Sequence, residues 1–157
     1  MEKQFRLTKY QLFTEIIGGL LLLGFTVYLC FLWPTFSDIV PSHYAIDGTA
    51  DAWSKKTSSI LLPILGWLIY ICLTVLLFIP RMWKVPKYHH NPDKQINIYR
   101  VCRSLLCTIN MGIAGMFVYV SVCTVHNDPL GVWFLPAIVV GSVLLNIIFL
   151  SKLPKLK

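Results

Sequence analysis

Residues 16–34 read IIGGLLLLGFTVYLCFLWP. No side chain from Ile16 to Trp33 is charged, and Pro34 stops the run, because proline removes a backbone donor and disfavours helix in the residue before it. A hydrocarbon core takes about 20 apolar residues to cross as a helix, so the stretch reads as a transmembrane span over about 16–33. Three more follow, over about 57–79, 101–125 and 131–150, leaving an outer loop at 34–56 and a cytoplasmic loop at 80–100. These segments nearly exhaust the 157 residues. The sequence thus predicts one membrane domain over 1–157, an all-α integral membrane protein with four transmembrane helices and a small extracytoplasmic hairpin between helices 1 and 2.

Composition agrees: 56% of residues are hydrophobic and 13% charged, where about a quarter would be charged in a soluble domain. The net charge of +7 brackets the apolar runs and forms no single basic face, which argues against a nucleic-acid partner. Twelve of the fourteen Lys and Arg residues fall at the N-terminus, around the 80–100 loop or in the tail; only Lys55 and Lys56 fall opposite, with Asp38, Asp47, Asp51 and Asp128. Lys and Arg are retained on the cytoplasmic side, so both termini are expected there. Basic ends of this kind also meet anionic lipid headgroups.

The basic start Lys3, Arg6, Lys9 precedes a long apolar run without a small-residue cleavage site, and reads as a retained anchor. Phe5 to Glu15 is expected as a short lead-in helix at headgroup level. Cys30, Cys72, Cys102, Cys107 and Cys123 form no metal-ligand pattern and read as buried hydrophobes, with a Cys30 to Cys123 disulfide open at the outer helix ends. No cofactor is expected. His89-His90, amid Lys84, Lys87 and Lys94, reads as part of a basic, lipid-facing loop.

Inside the membrane, helices pack through small residues and occasional polar contacts. Ser104, Thr108, Gly112 and Gly115 mark the packed face of the third span, and Gly18, Gly19 and Gly24 do so for the first. Asn110 and Asn146 are the structural polar residues, at depths that allow them to bond to each other. Ionisable groups are absent from the expected cores, with Glu15 only at the threshold, which argues against a proton-coupled transporter.

The outer loop concentrates the remaining chemistry. Asp47-Gly48 is a tight-turn signal, since glycine supplies the positive φ the turn needs. A capping hairpin is therefore expected, with Ser54, Thr57 or Ser58 capping the next helix and Pro63 in its first turns. His43, Asp47 and Asp51 form a conceivable transition-metal set. The alternative is a turn fixed by Asp47 with a local Asp51 to Lys55 ion pair. His43 and His126 are both placed on the outer face.

The pattern Pro41-x-His43, Asp47-Gly48, Asp51, Trp53, Lys55, set between a span ending at Trp33-Pro34 and one with an early proline, resembles the membrane domain of unknown function at the front of the Sdp-type immunity protein (SdpI) family. The likeness covers about Leu22 to Leu68. It implies a multi-pass protein of the bacterial cytoplasmic membrane with a toxin-immunity or sensing role, partnered by a peptide toxin or another membrane protein and by a cytoplasmic regulator. Pro41, His43, Gly48, Asp51, Trp53 and Lys55 are the expected ligand- or partner-binding residues. Two other readings stand beside it: an enzyme acting on a lipid-linked substrate at the outer interface, with His43 and Asp51 as acid-base or metal-binding groups, or an accessory transporter subunit.

Overall fold

The computed structural model describes residues 6–83, 85 and 92–153. Helix α1 (Lys9–Leu32) leads through a 3-10 turn (Trp33–Thr35) to strands β1 (Ile39–Tyr44) and β2 (Ala50–Lys55); a second 3-10 turn (Lys56–Ile60) opens α2 (Leu61–Leu77), and α3 (Pro92–His126) and α4 (Phe134–Ser151) follow. Four helical segments, Lys9–Thr35, Lys56–Leu77, Pro92–His126 and Phe134–Ser151, are long and apolar enough to cross a membrane.

Helix α1 corrects the expected lead-in. Within the described residues there is no separate surface helix, because a capping box starts the main helix at Lys9: the Gln11 amide donates to Thr8 Oγ1 at 3.2 Å, and the Thr8 amide donates to Gln11 Oε1 at 3.0 Å. The buried stripe then runs Gln11, Thr14, Glu15, Gly18, Leu22, Phe25 and Leu29, at the spacing that keeps one helix face inward. Phe5 lies outside the described residues, as do His89 and His90. Helix α3 also starts earlier than expected, at Pro92, so residues 92–100 are helix and not loop.

Helix α2 has no side-chain cap. Ser58 and Ser59 donate to the carbonyls of Lys55 and Lys56 and close the 3-10 turn ahead of it, and Pro63 follows in its first turn, where a missing N–H is tolerated. At the far end, Asn127 takes φ 57° and the Asp128 amide reaches back to the Cys123 carbonyl at 2.9 Å, a left-handed stop for α3.

Helices α1, α2 and α3 form the packed unit, and α4 lies against α3 with Phe149 as its buried residue. Close approach comes at Gly18, where an added Cβ would lie 2.9 Å from the Tyr70 ring, and at Gly66, 3.2 Å from Leu22. The expected small-residue face of α3 holds only in part. Ser104 and Thr108 meet Gln11 and Tyr10 of α1, whereas Gly24, Gly112 and Gly115 face open space.

Asn110 and Asn146 do not pair. Asn146 is exposed on α4 and bonds its own helix at the Ser142 carbonyl, while Asn110 is fully buried and donates toward the Glu15 carboxyl (3.2 and 3.4 Å), Thr74 Oγ1 (3.0 Å) and the Tyr70 carbonyl (3.4 Å). Thr74 donates to Glu15 Oε2 at 2.9 Å, and the Tyr70 hydroxyl donates to the Glu15 carbonyl. Glu15 and Arg103, both within spans, are buried, so ionisable groups do occur inside the bundle. All five cysteines are free thiols, with Cys30 exposed and Cys123 buried, and the two do not pair.

Candidate functional site

An isolated two-stranded ribbon is marginal in water, and needs a packed face to persist. Here the face is supplied by the helix ends. Val40 is fully buried with Phe25, Leu29, Phe36 and Val125, a cluster that joins β1 to the C-terminal ends of α1 and α3. Pro41, which has no amide to give a ladder, sits beside a register shift between Pro41 and His43, where a bulge accommodates it. At the base, the Lys56 amide donates to the Asp38 carbonyl at 2.9 Å and Lys56 Nζ lies 3.2 Å from Asp38 Oδ1.

The turn is fixed by its own residues. Asp47 Oδ1 accepts from the Thr49 amide at 3.0 Å and the Thr49 hydroxyl at 2.7 Å, and these two donors hold its carboxyl below the ordinary value of 3.8. Gly48 follows at φ +82°, the left-handed conformation that favours glycine. Its carbonyl accepts from the Leu130 amide at 2.8 Å, and an added Cβ would stand 2.6 Å from the Gly131 carbonyl oxygen. The hairpin tip is therefore clasped by the turn between α3 and α4. Beside it the Tyr44 hydroxyl, 3.4 Å from both the Asp128 carbonyl and Thr124 Oγ1, has its pKa raised chiefly by burial.

The other face is open. His43 Nδ1 and Asp51 Oδ1 are 2.6 Å apart, with 70% and 46% of their side chains exposed. They border a depression of about 700 Å³ lined by His43, Tyr44, Ala45, Ile46, Asp47, Asp51 and Leu135. Ile46 is 86% exposed, and Trp53 and Trp133 also project from this end of the molecule.

The expected site residues thus divide. Pro41 and Gly48 are buried and hold the ribbon in place, while His43, Asp51, Trp53 and Lys55 are exposed. Asp51 pairs across the ribbon with His43, and the alternative pairing with Lys55 fails for a geometric reason: four residues along a strand span about 13 Å, not one helical turn. The trio His43, Asp47 and Asp51 is not assembled around a common point, since Asp47 is turned onto Thr49. Among the described residues no three His, Cys, Asp or Glu side chains are placed to share one metal ion. His126 bonds the Tyr28 hydroxyl at 2.8 Å, separately from His43.

The polar joint of Glu15, Thr74 and Asn110, and the Leu130-Gly131 clasp, escaped the reading of the sequence. The joint had a signal, since Gln11, Glu15, Gly18 and Leu22 share one helical stripe. The clasp had none.

The architecture defines a multi-pass type of membrane protein, four apolar helices long enough to span, with a clamped β-hairpin between the first two. Residues 20–66 match a family model described as a domain of unknown function (DUF1648), a segment running from mid-α1 through the whole hairpin into α2. No curated protein and no solved structure matches the chain.

Proposed function

We propose that the protein is a non-enzymatic component of the bacterial cytoplasmic membrane, of toxin-immunity or sensing type, whose hairpin faces outward and binds a peptide. The observation that carries this reading is the hairpin itself: it is fixed to the bundle at base and tip, yet presents His43, Asp51, Ile46 and Trp53 on its free side. A prearranged surface loses less freedom on binding than a floppy loop would. The distribution of Lys and Arg supports an outward hairpin and cytoplasmic termini. Asp38, Asp47, Asp51 and Asp128 at this end outnumber Lys55 and Lys56, which favours a cationic peptide with apolar side chains. The resemblance to the Sdp-type immunity family points the same way.

The test is the sensitivity of a deletion strain to peptide toxins from its own and related strains, after complementation with wild type, His43→Ala or Asp51→Ala. Protection by wild type and its loss in both variants, at equal membrane levels, is expected. Equal protection by all three, or by none, overturns the reading.

A further inference from the structure

At the opposite end of the bundle from the hairpin, two neighbouring hollows lie beside the start of α1, one against α3 and one against α3 and α4. The smaller, about 70 Å³, is lined by Arg6, Thr8, Gln11, Tyr99, Arg100 and Arg103 among others. The larger, about 490 Å³, shares Thr8 and Arg100 with it, and continues along Leu145, Ile148 and Phe149 to Lys152. No acidic side chain lines either one.

We infer that this seam binds one anionic phospholipid, its phosphate held among Arg6, Arg100 and Lys152 at the N-terminus of α1 and an acyl chain lying against α4. Three features of different kinds support this. Thr8 and Arg100 border both hollows, so the basic and the apolar parts lie side by side, as the two parts of an amphiphile do. The first intrahelical bond of α1 runs from the Leu12 amide to the Thr8 carbonyl and the capping box takes up the Thr8 and Gln11 amides, so the Lys9 and Tyr10 amides and the helix dipole are directed toward a group beside Thr8. Finally, α4 is held loosely: only Phe149 is buried on it, and Lys152 lies over the Phe149 ring at 5.0 Å, leaving the ammonium at the mouth of the seam. Lipid completes a junction that side chains alone leave open. Arg103, buried and 5.9 Å from the Trp83 ring centroid, forms the floor of the small hollow and is not needed as a ligand.

Full-length protein in detergent, incubated with phosphatidylglycerol, phosphatidylcholine or inorganic phosphate, is assayed for retained lipid by native mass spectrometry. One retained phosphatidylglycerol per chain is expected, with affinity about fivefold weaker for each cation removed in Arg6→Gln, Arg100→Gln and Lys152→Gln. Ile148→Trp fills the apolar part without altering charge, on a side chain already half exposed, and is expected to displace the lipid while the melting temperature holds. Equal retention of phosphatidylcholine overturns the assignment, as does retention that survives both Arg100→Gln and Ile148→Trp. Displacement by inorganic phosphate overturns it too, and identifies a free-phosphate site.

Discussion

The bundle and the hairpin each carry a polar centre, and they handle it in opposite ways. Inside, Glu15, Thr74 and Asn110 meet one another from three helices, and Asn110 has no exposed surface. On the hairpin, His43 and Asp51 meet on an open ribbon. The difference follows from the surroundings. Within a bilayer a polar group has no water to fall back on, so it is satisfied by neighbours or it costs several kcal/mol. At the surface water always competes, and a pair remains available to another molecule.

The largest effect should therefore come from Asn110. Replacing it with Leu removes the amide that donates to both the Glu15 carboxyl and Thr74 Oγ1, and leaves the carboxyl with one donor fewer beside the Thr74 hydroxyl. A loss of about 1–3 kcal/mol is expected, at or above the ~0.6 kcal/mol average for one interhelical bond in a membrane. Denaturant unfolding of the purified protein reads it, and the protection proposed for the hairpin should persist at temperatures where the fold survives. Unchanged stability would mean that the cluster is not the joint it resembles.

Gly48→Ala strikes at the other region. The left-handed φ alone costs a non-glycine residue about 1–2 kcal/mol, and the Cβ is also driven against the Gly131 carbonyl. Because the clash lies at the tip, the expected damage is local: the Leu130 amide, which donates to the Gly48 carbonyl, should exchange its hydrogen faster while amides in α1 do not. Equal protection of Leu130 in the variant would show that the tip docks by some other means.

The two regions also differed in how far they could be read from sequence. Helix length depends on runs of residues, so four helices long and apolar enough to span were legible, as was a turn at Asp47-Gly48. What was not legible depended on which residues meet across elements. The pairing of Asp51 turned on a strand register with two irregularities, and Asn110 found Glu15 and not Asn146 because Asn146 is exposed on α4 while Asn110 is buried toward α1 and α2. Glu15 lies at the edge of the span only if α1 begins near Ile16. The capping box Thr8-x-x-Gln11, present in the sequence, moves the start seven residues earlier, from 16 to 9, and brings Glu15 inside the helical segment long enough to span.

The smallest effect belongs to Asp47, and it sharpens the contrast because it depends on pH. Its carboxyl is held below 3.8 by the Thr49 hydroxyl and amide, so the folded turn favours the ionised form. A depressed carboxyl contributes stability that is present above its ordinary value and is lost as pH falls through the lower, folded one. The hairpin tip should loosen in acid, below the range in which a free aspartate titrates. Tyr44 works in the other direction: burial raises its pKa above 10.0, so its contribution is present below that value and is lost as pH rises through the higher, folded one. Thr49→Val removes the hydroxyl donor to Asp47 while leaving the backbone amide, and an NMR titration of the Asp47 carboxyl should then move part of the way back toward 3.8. The change will be small, because Asp47 is fully exposed and water replaces a lost hydroxyl at little cost. An unchanged titration would assign the depression to backbone amides, and the turn would then owe its shape to the backbone, to Gly48 and to the Leu130 clasp.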